Sequence, residues 1–269
     1  MTVTTDRHRI ESVARDTFGY ESLHPGQVEA IESVLAGCDT LAVMPTGAGK
    51  SAIYQIAALL SPGPAVIVSP LIALQRDQLA AIQQEDIGEA AVVNSAERAS
   101  ERREAWVELD EHRLTYLFLA PEQFSNEETL AHVRAAQPSL LVVDEAHCIS
   151  EWGHDFRPDY LKLGAVVEAL GHPAALALTA TASPPVRAEI VERLHMREPR
   201  LIVQGFNRPN IWLGVERFED EHGKRHALPD RVEAAEKPGI VYAATHKHAE
   251  ELAAALGARG CAPATITPA

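Results

Sequence analysis

The sequence predicts an α/β fold, a parallel sheet covered by helices on both faces. Three observations carry that prediction. Short apolar runs recur along the chain: TLAVM at 40–44, AVIVS at 65–69, AAVV at 90–93, YLFLA at 116–120, LLVV at 140–143, ALALTAT at 175–181 and LIVQGF at 201–206. Nearly all of them precede a stretch with helical spacing. The runs are also apolar throughout rather than alternating, the pattern of strands buried on both faces.

In chain order, residues 6–17 have helical spacing (Ile10, Val13, Ala14, Phe18) and stop at Gly19. FGYESLHPGQ (18–27) follows, and Pro25 opens a second helix with Val28, Ile31, Val34 and Leu35 on one face, ending at Gly37. The 40–44 run leads into PTGAGKS (45–51) and a helix to Leu60. Further helices are expected over 71–84, 97–110 and 122–136, and after ALALTAT to Leu194. The loops that leave the strands toward these helices (PTGAGKS, SPLI, APEQ, DEAH and TAT) should collect on one edge of the sheet. At NRPN (207–210) an X-Pro turn opens a polar, charged stretch. After it, GIVYAAT (239–245) and a helix over 246–259 begin a new strand–helix unit. One strand with one or two helices buries no independent core.

The 269 residues are 46% hydrophobic, ample for a core. No run approaches the roughly 18 apolar residues of a membrane span, and MTVTTDRHRI carries no apolar signal region, so a cytoplasmic location is expected. Cys38, Cys148 and Cys261 lie far apart, which fits a reducing compartment and no zinc site. A formal charge of −14 argues against nucleic acid binding over the whole surface and leaves a local cationic groove open.

Strand, GAGKS and helix in succession form a phosphate cradle. Gly47 and Gly49 let backbone N–H groups turn toward phosphate, with Thr46 and Ala48 completing the loop. Lys50 would reach the β- and γ-phosphates, and Ser51 would ligate Mg²⁺. The strict pattern has Gly where this chain has Met44. Asp144 and Glu145 follow an apolar run directly. Asp144 is expected to partner Mg²⁺ and Glu145 to act as base or orienter for the attacking water. The plainer alternative for the two acids is a helix N-cap.

With these motifs the chain resembles a superfamily 2 helicase, a RecA-like P-loop NTPase fold. DEAHCISEWGHDFRPDY (144–160) is very similar to the signature of RecQ-family ATP-dependent DNA helicases. FGYESLHPGQ, MPTGAGKS, SPLIALQRDQ, YLFLAPEQF, LALTATA, GFNRPNI and GIVYAATHKHAEELAAAL agree in order and spacing, over nearly the whole chain. The resemblance implies ATP and Mg²⁺ as ligands and 3′-to-5′ unwinding of DNA in recombination and repair. Single-stranded or 3′-tailed duplex DNA is then the partner. It implies that Gln27 reads the adenine edge, a bidentate amide being suited to N6 and N7, and that Tyr20 stacks on the base. His24 stands where the family usually has Arg and so lacks a permanent charge. Ordinary packing is the alternative for Tyr20 and His24.

The same resemblance makes 149–158 a DNA-sensing loop. Trp152 and Phe156 stack on or near unpaired bases, Arg157 meets phosphate or a base face, and His147 and His154 transmit the loop's position to the acids. Core packing is the alternative for the two aromatic residues. Ser69 resembles a DNA-backbone contact, and Thr179 and Thr181 the interdomain coupling motif; helix capping explains all three equally well. A nucleotide kinase or transport ATPase accounts for the cradle but for neither DEAH nor SPLIALQRDQ. An RNA helicase is disfavoured by the 152–157 loop.

Residues 1–205 are therefore expected to form the first RecA-like domain, and 206–269 a linker and the incomplete start of a second. The family's later motifs supply an arginine finger, worth about 10³–10⁵ in rate, and they lie beyond residue 269. The expectation is a truncated chain that binds ATP and single-stranded DNA with impaired turnover. TITPA (265–269) stands where the family continues Tyr-His-Ala-Gly. Codons ACT ATC ACG CCG GC contain that tetrapeptide in a shifted frame, so a frameshift is the expected origin, and the gene's nucleotide sequence tests it.

Overall fold

The computed structural model of the chain describes residues 3–151, 155–205, 211, 212 and 214–264. They fall into two compact units, Met1–Asn207 and Arg208–Ala269. In the first unit the elements run α1 (Val3–Asp16), α2 (Pro25–Leu35), β1 (Thr40–Val43), α3 (Lys50–Leu60), β2 (Ala65–Val68), α4 (Ile72–Glu85), β3 (Ala90–Val93) and α5 (Ala99–Asp110). They continue with β4 (Tyr116–Leu119), α6 (Glu127–Ala135), β5 (Leu140–Val143), α7 (Leu163–Ala169), β6 (Ala174–Thr179), α8 (Pro184–Arg193) and β7 (Arg200–Val203). The helix expected from 122 starts instead as a 3₁₀ turn, Pro121–Ser125, because Pro121 opens a tight turn before Asn126 caps α6.

The seven strands form one sheet in the order β3-β4-β2-β5-β6-β1-β7, and every pair is parallel. Successive side chains on a strand point to opposite faces, and here both faces are covered. Val66, Val68, Leu141 and Val143 pack under α5–α8 through Leu109, Val133, Val167 and Ile190. Ile67, Phe118, Val142 and Leu176 pack under α1–α4 through Ile10, Ile31, Ile53 and Ile82. Two-sided burial explains why these strands read as unbroken apolar runs.

The strands are level in two groups, β3-β4-β2-β5 and β6-β1-β7, and between them Val143 of β5 stands opposite Ala177, two residues before the end of β6. Val68 is opposite both Leu119 and Val143, and Val43 is opposite both Thr179 and Val203. At the other edge, Asp39 is buried and gathers three strand starts. Its Oδ1 accepts from Ala175 N (2.9 Å), its Oδ2 from Arg197 N (2.6 Å) and its carbonyl from Arg200 N (2.8 Å).

In the second unit, α9 (Glu221–Ala234) and α10 (His246–Ala258) are capped by Asp220 and Thr245. The helices are joined by ion pairs, Arg225 with Glu251 (3.1 Å) and Arg259 with Asp230. The strand expected over 239–245 is not formed: Ile240 is 80% and Tyr242 90% exposed. A strand needs a neighbour for its N–H and C=O groups, and no second strand lies among the described residues of 208–269.

Replacing Asp39 by Ala removes the acceptor of the Ala175 N–H at the start of β6 and of the Arg197 N–H in the turn before β7. A loss of about 2–4 kcal/mol is expected, read as a lower urea midpoint at unchanged m-value.

Candidate active site

Because all strands are parallel, their carboxyl ends deliver the unusual loops to one edge of the sheet. β6 lies between β5 and β1, so TAT sits between DEAH and PTGAGKS. Backbone bonds fix the three loops: Asp144 N donates to Val68 O (2.9 Å) and Met44 N to Thr179 O (3.0 Å).

The phosphate loop turns through Gly47 (φ +82) and Gly49 (φ +71), both in the left-handed region that favours glycine. Nothing lies within 4 Å of where a Gly47 Cβ would be. Thr46 and Gly47 are exposed, Ala48 is half-buried with its N–H on Pro45 O (3.1 Å), and α3 begins at Lys50. An open glycine turn feeding a helix N-terminus fits a phosphate chain. The Lys50 ammonium is folded back onto Met44 O (3.1 Å) and Pro45 O (3.5 Å). Half-buried Ser51, in the first turn of α3, and Asp144 are the residues that would hold Mg²⁺. Among the described residues no three His, Cys, Asp or Glu cluster for a metal. Mg²⁺ held through substrate phosphates requires only one or two carboxylates.

Gln27 is buried and its amide is committed at both ends. Oε1 accepts from His24 N (2.8 Å), and Nε2 donates to Gly49 O (2.9 Å). A Cβ on Gly49 would stand 2.4 Å from Gln27 Nε2, a second reason for glycine there. The proposed base reader thus braces the phosphate loop, and each amide atom keeps capacity for one further bond. Tyr20 is partly exposed and stacks on Phe18 (5.6 Å between centroids, 16° between planes), and His24 is exposed at the start of α2.

The two acids differ in character. Burial, then the neighbouring Glu145 charge, pushes the Asp144 carboxyl up to about 6, while Glu145 N donates to its Oδ1 (3.0 Å). Glu145 is held below the usual carboxylate range by its hydrogen bond to His147, 3.2 Å from Nδ1 to Oε2. Its backbone is left-handed (φ 48), which is strained for a side chain of this size and costs on the order of 1–3 kcal/mol. His147 is raised to about 10 by its contact with the Cys148 sulfur and by Glu145. The thiol is a weak acceptor at 4.0 Å, so the Glu145 carboxylate is the partner that holds the charge.

Thr179 closes the network. Its hydroxyl donates to Thr181 O (3.0 Å), leaving lone pairs for Thr181 N (3.2 Å) and for His147 Nδ1 (3.0 Å). The Nδ1 proton is therefore shared between Thr179 and Glu145. Tyr160, to which the sequence assigned no role, donates its hydroxyl to Asp144 O (2.9 Å).

Of the loop expected to sense DNA, Trp152 and His154 lie outside the described residues. Phe156 is half-buried, and Arg157 donates from Nη1 to Pro70 O (3.1 Å), tying its loop to the segment after β2. Ser69 departs from expectation. It is buried, with an Oγ that no partner satisfies, so a DNA backbone reaches it only if this loop moves. Sequence reasoning missed what lies beneath: Gln75 Nε2 donates to Ser69 O (2.8 Å) and Asn94 Nδ2 to Gln75 Oε1 (2.9 Å), both side chains fully buried. Two polar residues inside an apolar pattern were the available signal.

Residues 24–189 match the family model of the DEAD/DEAH box helicases, and the chain belongs to that family. Its homologues there are DNA helicases. It is 41% identical over 245 residues to the probable ATP-dependent DNA helicase RecS of Bacillus subtilis, covering 91% of this chain and 49% of that one. It is 38% identical over 253 residues to the ATP-dependent DNA helicase RecQ of the same species, covering 91% and 41%. The chain thus spans about half the length of the first relative and less of the second. Among solved structures, a hypothetical ATP-dependent RNA helicase of Sulfolobus tokodaii superposes with a TM-score of 0.57 at 19% identity, over 92% of this chain and 72% of that one. That likeness bears on the fold alone, a RecA-like helicase domain. Among the described residues no helix is long and apolar enough to cross a membrane.

His147 gives a pH prediction. Its pKa is raised on folding, so its ion pair stabilises fully below about 6.5 and is lost as pH rises through about 10. His147→Ala should lose about 1–3 kcal/mol at pH 7. In thermal melts from pH 6 to 10.5 its deficit against the parent chain should shrink at the top of the range.

Proposed function

We propose that this chain carries the ATP-hydrolysing domain of a RecQ-type DNA helicase, one that couples hydrolysis to 3′-to-5′ unwinding in recombination and repair. The observation that carries the reading is the contact of His147 with both Glu145 and Thr179, which joins the acids to the TAT loop beside the phosphate cradle. In this reading Gln27, Tyr20 and His24 hold the base, and the 46–51 loop with Lys50 holds the phosphates. Ser51 and Asp144 hold Mg²⁺, which when bound neutralises phosphate charge. Glu145 orients the water and accepts its proton. Residues Phe156 and Arg157, with Trp152 and His154, take single-stranded or 3′-tailed DNA, and Thr179 and Thr181 relay its presence. The domain division follows the same reading: 1–205 as the ATP-binding domain, and 206–269 as linker and the start of a second.

A second reading is favoured by the second unit, whose described residues hold two helices and no strand. On that reading these 269 residues bind ATP and single-stranded DNA but turn over slowly and do not unwind.

Strand displacement on a 3′-tailed duplex, with DNA-stimulated ATP hydrolysis measured alongside, separates the two. Displacement and stimulated turnover abolished by Lys50→Ala support the helicase reading for this chain. Tight binding of an ATP analogue with little stimulation supports the second. In either case Glu145→Gln should leave analogue binding near the parent value. It should lower whatever hydrolysis is present by about 10²–10⁴-fold, as for loss of a general base.

A further inference from the structure

Gln204 follows β7 and was given no role by the sequence. Its N–H donates to Val43 O (2.9 Å), the last residue of β1 before the phosphate loop. Its side-chain amide lies against Gly26. A Cβ on Gly26 would stand 2.3 Å from Gln204 Nε2 and 3.0 Å from its Cδ. Gly26 is buried in the first turn of α2, where alanine is the better helix former. The close approach of Gln204 is what accounts for glycine there. Three residues on, Glu29 pairs with Arg200 of β7 (2.7 Å), so α2 is fastened to this strand at two points.

The next residue after Gly26 is Gln27, whose amide has a defined sense: oxygen toward His24 N, nitrogen toward Gly49 O. In that sense the amide offers an acceptor and a donor to a base edge with a donor and an acceptor, as adenine has at N6 and N7. Guanine presents two acceptors, O6 and N7, and meets Gln27 Oε1 with like polarity.

We propose that Gln204 is a positioning residue for nucleotide selection. By packing on Gly26 it fixes the turn that orients Gln27, and so it sets the preference for adenine over guanine nucleotides. The inference rests on the ATP-site reading above and adds to it a residue that follows the edge strand beside β1.

The test is titration of the whole chain with fluorescent ATP and GTP analogues, with thermal melts in parallel, for the parent, Gln204→Ala, Gly26→Ala, the double variant and Gln27→Ala. Each of the first two substitutions should lower the ATP-over-GTP preference about fivefold. The double variant should lose no more than the worse single one, because contacting residues are non-additive. Gly26→Ala should do this without lowering the melting temperature, which a merely structural role would not produce. An unchanged preference in Gln204→Ala, beside a lost preference in Gln27→Ala, overturns this inference and leaves the ATP site standing. Additive losses in the double variant overturn it likewise. A parent chain with no adenine preference overturns both.

Discussion

A parallel sheet gives all of its strands one direction, and the rest of this molecule depends on that constraint. Parallel strands cannot be joined by tight turns, so each connection crosses a face as a helix. Both faces are thereby covered, and every carboxyl end opens on one edge. The registers then decide which loops meet. With Val43 level with Thr179, and Val143 of the next strand opposite Ala177, TAT falls between the phosphate loop and the acids. Asp39 serves this arrangement from the opposite edge, holding the starts of β6 and β7 to that of β1.

On the loop edge, order comes from hydrogen bonds that each serve two partners. The His147 Nδ1 proton is shared by Glu145 and Thr179, and the Gln27 amide by the start of α2 and Gly49. Shared donors make neighbouring loops move together, since shifting one partner unbalances the other. The left-handed backbone of Glu145 belongs to the same picture. Strain of this kind persists only where surrounding contacts over-determine a residue, and here His147 and the bonds on Asp144 do so.

Much of this was legible in the chain itself. Six strands stood out because burial on both faces makes them apolar without alternation, the edge strand β7 is apolar though Leu201 and Val203 are exposed, and PTGAGKS and DEAH named their own loops. Four things were not legible, each for a physical reason. GIVYAAT has the composition of a strand, but strand formation is settled by neighbours and not by propensity. Helix α9 carries Pro229 and has no clear apolar face, so periodicity gave no sign of it. The family resemblance offered Ser69 as a DNA-backbone contact, and its burial over Gln75 and Asn94 is a tertiary fact that no local pattern shows. The double duty of Gln27 belongs with these, since it depends on how close α2 comes to Gly49.

The folded-back Lys50 has a consequence for exchange. Its ammonium is already solvated by the carbonyls of Met44 and Pro45. On the proposed ATP-site reading, an arriving phosphate would not meet a bare cation. It would displace two oxygens that had been satisfying one, and the net gain would be smaller than a list of new contacts suggests. The same berth would receive the lysine when the phosphate leaves. On that reading departure would strand no half-buried charge, and the loop would have a resting arrangement to return to.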